Sequence, residues 1–169
     1  MAAALAAAAC AEVAFVRPAD DLQFEIAGRI AVKYRDEAAS ANLAWRHSAG
    51  GDELLISSPL GQGVARIVRD GAEVTLSTPE RGEFRAADAE SLTEKVLGFR
   101  LPLAGLADWV RARPAPGPAQ PRFDASGRLV ELEQSGWRVE YLEYAGARPA
   151  RLRLVYPGVE LRLAISQWK

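Results

Sequence analysis

Apolar and polar residues alternate along most of this chain with a period of two, and a helical period interrupts them once, near the middle. From Phe24 the alternation puts Phe24, Ile26, Gly28, Ile30, Val32 and Tyr34 on one face and Arg29 and Lys33 on the other. Beyond a turn at Asp36 and Glu37, Leu43 and Trp45 share a face. Residues 54–57 and 64–68 read as two strands, and Asp70-Gly71 is a tight hairpin signal. Val74 and Leu76 then alternate with Glu73, Thr75 and Ser77, and residues 82–86 form one more short strand. The first half is therefore an antiparallel meander with one apolar face.

The period changes at Asp88. This residue is a candidate N-cap for a helix over residues 89–97, with Leu92, Val96 and Leu97 on one side and Gly98 as its stop. Pro102 suits the first turn of a second helix, on which Leu103, Leu106 and Val110 recur at helical spacing beside Trp109. Residues 113–118 carry three prolines and read as an extended connector. Strands resume after a turn at 124–127, with Val130 and Leu132 expected on one side of residues 128–134. Trp137, Val139 and Tyr141 follow, then Leu152 and Leu154, then Val159, Leu161, Leu163 and Ile165, each set alternating with Arg or Glu. Two short helices are too few to cover so many strands densely. The pattern predicts a strongly curved antiparallel sheet with helices in its mouth, a shape that can enclose an apolar cavity. No internal repeat or second domain is visible.

One loop departs from this pattern. Between the strands at 54–57 and 64–68 the chain reads Ser58-Pro59-Leu60-Gly61-Gln62-Gly63. Pro59 fixes φ and the glycines allow a sharp reversal, yet the tip carries a bulky aliphatic, Leu60. Leu60 either folds back over the end of the core or is offered to an apolar ligand or a membrane. Burial of one Leu yields only about 1.5–3 kcal/mol, so membrane residence requires a second anchor.

Composition narrows the chemistry. The chain has 169 residues, with 21 Lys+Arg against 22 Asp+Glu, which suits one domain without a general pull toward nucleic acid or acidic surfaces. No apolar run reaches the ~20 residues that span a bilayer. The single cysteine, Cys10, ends an Ala-rich apolar stretch with Ala9 before it. That arrangement suits either the end of a lipoprotein signal peptide or an Ala-rich leader with an incidental thiol. One His and one Cys leave no nucleophile–His pair and no usual zinc set, and His47 reads as a surface residue. The carboxylates alternate with Arg as on a solvated sheet face. The aromatics fall on the apolar face, unlike an RNA-binding sheet. Neither an enzyme nor a cofactor is indicated.

The ordered set Gly28-Arg29-Ile30-Ala31-Val32, Trp45, Ser58-Pro59-Leu60-Gly61-Gln62, Ala87-Asp88-Ala89-Glu90, Leu97-Gly98, Leu101-Pro102-Leu103, Leu106, Trp109, Gln134-Ser135-Gly136-Trp137 and Trp168 resembles the LolB family. These are outer-membrane lipoprotein receptors of Gram-negative bacteria, and the resemblance covers residues 24–169. It implies a mainly β fold with a few helices: an incomplete, half-open antiparallel β-barrel of about 10–11 strands, covered by short helices and lined by apolar side chains. It implies a non-enzymatic protein that accepts lipoproteins from a LolA-type carrier and inserts them into the inner leaflet of the outer membrane. Cys10 corresponds to the family's acylated anchor, after a signal remnant at 1–9 and before a tether through residue 23. Residues 24–169 correspond to a single lipoprotein-binding domain. Pro59, Leu60 and Gly61 correspond to the family's protruding loop, which places Leu60 outside the core. The expected partners are the loaded carrier, lipoprotein acyl chains and outer-membrane lipid at the periplasmic face, with the chain acting as a monomer. Core and cavity positions share one periodicity, so the acyl-cavity candidates are Ile30, Val32, Trp45, Ile56, Leu92, Val96, Leu106, Trp137, Val139, Tyr141, Leu152, Leu154, Leu161 and Leu163. Three rivals are a soluble LolA-like carrier, without an anchored Cys10, a structural outer-membrane lipoprotein with a packed interior, and a lipid hydrolase, which the missing His partner argues against.

Overall fold

The structure, a computed structural model, describes Ala14, Phe15 and residues 21–169. Cys10, the stretch 1–9 and most of the expected tether lie outside the described residues. Six strands come first: β1 (Leu22–Tyr34), β2 (Glu37–Ser48), β3 (Gly51–Ser57), β4 (Gly63–Asp70), β5 (Glu73–Thr78) and β6 (Gly82–Ala86). Two helices follow, α1 (Ala89–Leu97) and α2 (Leu103–Trp109). Five strands complete the chain: β7 (Ala119–Phe123), β8 (Leu129–Gln134), β9 (Trp137–Ala145), β10 (Arg148–Tyr156) and β11 (Val159–Trp168).

All eleven strands form one antiparallel sheet in the order β6-β5-β4-β3-β2-β1-β11-β10-β9-β8-β7. Each arm is a meander of hairpins, and the arms join where the first strand pairs with the last, from Ile26 opposite Trp168 to Tyr34 opposite Val159. The outermost strands β6 and β7 do not pair, so the sheet is not closed into a barrel. The β1–β11 seam requires a glycine. The register shifts between Ala27 and Gly28, and a Cβ at Gly28 would sit 2.0 Å from the Ala164 carbonyl oxygen. Any side chain there forces the central strands apart.

The helices follow their sequence signals. Asp88 accepts hydrogen bonds from the backbone N–H of Ser91 (2.9 Å) and Glu90 (3.2 Å), and Gly98 closes α1 in the left-handed region at φ +86°. Leu92, Val96, Leu103, Leu106 and Trp109 are buried in one cluster with the apolar face of the sheet. Trp109 Nε1 donates to Gln134 Oε1 at 2.8 Å, and the Tyr141 hydroxyl donates to the Trp109 carbonyl at 2.9 Å. Gln134 also exchanges two hydrogen bonds with the backbone of Ala115, which fastens the Pro-rich connector to β8. Burial pushes the Tyr141 hydroxyl pKa up, as suits a structural donor.

Four expectations are corrected. β7 follows the Pro-rich connector directly, where no strand was expected; Pro121 is tolerated because β7 is an edge. In β8, Leu129 rather than Val130 joins Leu132 in the core, because the register shifts between Arg122 and Phe123. His47 is only 7% exposed and not a surface residue. Its ring stacks on Phe24, and its Nδ1 lies 2.6 Å from Asp52 Oδ1. Asp52 also accepts from Trp45 Nε1 (2.9 Å) and from Arg69 Nε (2.6 Å). Asp52 and Glu53 are thus buried carboxylates on a strand whose acids were read as solvated.

Burial disfavours charge on Asp52, but the His47 contact, the Arg69 charge and the Trp45 N–H outweigh it and hold the pKa below the usual carboxylate value. A depressed pKa adds stability that is present above the unfolded carboxylate value of about 3.9 and lost as pH falls through the folded value. Asp52→Asn should cost about 2–3 kcal/mol at pH 7. That is less than the ~3–5 kcal/mol of a fully buried pair, because Arg69 reaches solvent. Urea unfolding of both proteins down to pH 3 should show the Asp52 contribution to the gap shrinking as the pH falls below about 4.

Candidate functional site

β2 runs on past the end of β3. Its pairing with β3 extends only from Asn42 opposite Ser57 to His47 opposite Asp52, while residues 37–41 remain paired to β1 alone. The β3–β4 hairpin therefore stops short of the β1–β2 hairpin and leaves a notch in the sheet. The chain crosses the foot of this notch with Ser58-Pro59-Leu60-Gly61. Ser58 O accepts from Gly61 N at 2.8 Å, closing a four-residue turn with Pro at its second position. Ser58 O also accepts from Asn42 Nδ2 at 3.1 Å. A second backbone bond joins Ser58 N to Gln62 O at 2.8 Å, and Gly61 adopts φ +84°. This turn is held from both sides, and it leaves Leu60 90% exposed. Val64 beside it is also exposed.

The notch opens into an apolar pocket of about 310 Å³, at the small end of the range for ligand sites. Ile30, Val32 and Tyr34 of β1 form one wall, and Ala38, Ala39, Ser40 and Ala41 of β2 another. Ile56, Pro59, Val64 and Ala65 line the side next to the turn, and Leu97, Phe99 and Leu101 from the α1–α2 segment complete it. Tyr34, Glu37, Ser40 and Ser58 are the polar residues among those that line it. Thr93 steadies the helical side: it is fully buried, donates to Ala89 O and accepts from Leu101 N at 2.9 Å. Such a wall can take hydrocarbon out of water.

Of the residues expected from the sequence, the structure brings Ile30, Val32, Ile56 and Pro59 to this pocket, with Leu60 and Gly61 in the turn beside it. Trp45, Leu92, Val96, Leu106, Trp137, Val139, Tyr141, Leu152, Leu154, Leu161 and Leu163 lie in the packed core. A larger hollow of about 880 Å³ opens between the β8–β9 and β10–β11 turns, with Trp137 in its wall. Glu133, Gln134, Ser135 and Arg138 also line that hollow, which makes it the poorer host for hydrocarbon. Tyr34, residues 38–41, Val64, Ala65, Leu97, Phe99 and Leu101 were missed. The available signal was the run Ala38-Ala39-Ser40-Ala41: a strand segment without bulk cannot fill the space in front of it. Among the described residues no helix is long and apolar enough to cross a membrane.

A family model described as "Outer membrane lipoprotein LolB" matches residues 22–168. The outer-membrane lipoprotein LolB of Thiobacillus denitrificans is 44% identical over 144 residues, covering 84% of this chain and 77% of the relative. That of Chromobacterium violaceum is 37% identical over 175 residues, covering 98% and 94%. Among solved structures, a LolA superfamily protein from Nitrosomonas europaea aligns with a TM-score of 0.55 at 15% identity, over 91% of this chain and 88% of that one. This last likeness speaks for the fold alone.

The small β2 residues yield a prediction. Ala41→Leu places a branched side chain in the pocket wall without touching the turn. Displacing one or two bound methylenes at about 0.8 kcal/mol each should weaken binding of a fluorescent fatty-acyl probe roughly four- to fifteen-fold. Titration of the probe, with the urea midpoint as a check on folding, measures this.

Proposed function

This chain belongs to the LolB family and is a lipoprotein receptor of the outer membrane; from that premise we propose that it works through three parts, an acyl pocket, a membrane-touching turn and a lipid anchor. The family deals with lipoproteins and with LolA-like carriers in general. In our reading the 310 Å³ pocket in the sheet notch takes acyl chain from a carrier-bound lipoprotein. The Pro59-Leu60-Gly61 turn then contacts the inner leaflet while Cys10, acylated, keeps the domain at that surface. Residues 24–169 act as one lipoprotein-binding domain, as a monomer and without catalysis.

The observation that carries this reading is the juxtaposition of an apolar pocket and a 90% exposed Leu on one hydrogen-bonded turn. Pro59 lines the pocket, and the next residue points away from the protein. Acyl chains cost about 0.8 kcal/mol per methylene to expose, so a path from pocket to bilayer must keep them covered. A Leu at the pocket's edge that enters the leaflet brings the hydrocarbon of the membrane up to that of the pocket. One Leu contributes about 1.5–3 kcal/mol, enough to lower a barrier and too little to hold the protein down.

Leu60→Glu tests this division of labour. The side chain is solvent-exposed and its turn is held by backbone bonds, so the urea midpoint should stay unchanged. Binding of a fluorescent acyl probe should also stay within about two-fold, since Leu60 lies outside the pocket wall and a surface change is worth under about 0.5 kcal/mol. Transfer of a lipoprotein from carrier to outer-membrane vesicles should fall at least ten-fold. Loss of acyl binding together with transfer would sink the separate role of the turn.

A further inference from the structure

β3 is buried on both of its faces, and only one is explained by the core. Leu54 and Ile56 point inward. Glu53 and Leu55 point the other way, opposite Arg46 and Ala44 of β2 and Val68 and Arg66 of β4. On the outer face of β10 and β11, Arg151, Arg162 and Ala164 are exposed, as a sheet's outer side should be. Yet Leu55 is only 4% exposed and lies outside the core cluster, and the Glu53 side chain is fully buried. Among the described residues, the part of the chain found on this outer face beyond the sheet itself is Phe15. Its half-buried ring lies under the Arg46 guanidinium, 4.1 Å from carbon to ring centre. Arg46 is aimed by Glu25, whose carboxylate accepts from Arg46 Nε at 2.7 Å.

We propose that Phe15 pins the chain's own N-terminal segment to the outer face of β2 and β3, over Arg46 and beside Leu55, and so shortens the leash between the anchor and the domain. The occupant is fixed by chain connectivity: β1 starts at Leu22 beside Ser48, at the same end of the sheet as Arg46, and Phe15 is already seated there. The cation over the ring is the observed contact, and Leu55, buried on the same outer face, offers the apolar surface beside it. The ion pairs around them satisfy the polar groups: Glu53 accepts from Arg66 Nη2 at 2.7 Å, and Glu25 also from Lys169.

The consequence for reach rests on the reading of Cys10 as the anchor. An extended chain covers at most about 3.6 Å per residue. Free from Leu22 onward, twelve residues let Cys10 wander roughly 43 Å. Clasped at Phe15, five residues allow only about 18 Å. The last pair before the Leu60 turn, Asn42 opposite Ser57, lies four residues beyond Arg46 along the sheet, roughly 13 Å away. The clasped leash is therefore matched to the height at which anchor and turn meet one leaflet, and the free leash is more than twice too long.

Two measurements test this, and they fail separately. The first is a stability cycle on the soluble Cys10→Ala protein: Phe15→Ala should lower the urea midpoint, and in a Leu55→Ala background it should lower it no further. An unchanged midpoint, or equal shifts in both backgrounds, overturns the clasp. If Leu55→Ala does not fold, the same cycle with Arg46→Gln decides at the observed contact. The second uses acylated protein on vesicles, with energy transfer from a dye on the Ala125→Cys thiol to labelled lipid. A Gly/Ser insertion of about eight residues between Ala11 and Glu12 adds up to ~29 Å of leash and should reduce transfer. The same insertion between Val16 and Arg17 is looped out by the clasp and should leave transfer at the uninserted level. Equal loss in both overturns the clasp. Absence of transfer in every form removes the anchor instead, and the stability cycle then decides the clasp by itself.

Discussion

The pairing of β1 with β11 is the contact on which the rest of this structure depends. Each arm of the sheet is built from local hairpins, and neither arm alone has a second wall to face. Only the seam sets the two apolar faces at an angle around α1 and α2. It is also the least local contact in the chain, so its closure entropy is the largest. The sequence concentrates fastening there: Gly28 packs without a Cβ against Ala164, and Glu25 and Lys169 exchange two backbone bonds and an ion pair. Trp168 packs on Phe24 and donates to the Pro149 carbonyl. These groups couple the chain's two ends, so the concave face exists only once the chain is complete.

A receptor of this type must pack tightly and still leave a hole. Close packing is the default of protein interiors, and an empty apolar cavity costs stability in proportion to its size. Here the two demands are separated in space. Trp45, Trp109 and Trp137 fill the interior around the helices and the body of the sheet. The pocket sits where β3 and β4 end early and the facing strand carries Ala38, Ala39 and Ala41. The emptiness arises from hairpin length and residue size, both set locally, so it can coexist with a rigid core.

The same separation explains how much was legible in the sequence. Strand alternation, the Asp88 and Gly98 caps and the turn glycines are local signals, and the structure follows them almost residue by residue. His47 and Asp52 were misread because their meaning is a tertiary pairing: each is a polar residue near a strand end until Trp45 and Arg69 converge on the same carboxylate. β7 was missed because Pro121 argues against a strand unless the strand is known to be an edge. The cavity wall was the hardest to read. Ile30 and Leu163 are cross-strand neighbours with the same periodicity, yet Ile30 borders the notch and Leu163 does not. That difference depends on where β3 stops, which no single residue encodes.

In the proposed function, the turn at Leu60 completes a path from pocket to bilayer. On that proposal hydrocarbon passes from pocket to bilayer by downhill steps, and each barrier must be small. A wall of Ala, Val and Ile side chains with few polar groups would hold a chain by contact area alone, to be released in small increments as the chain slides out. A hydrogen-bonded turn that fixes its backbone through Ser58 and Asn42 spends little conformational entropy when Leu60 enters lipid. Preorganisation of the turn matters more than its apolar area, because one Leu contributes only about 1.5–3 kcal/mol and the entropy of ordering a free loop would consume most of it.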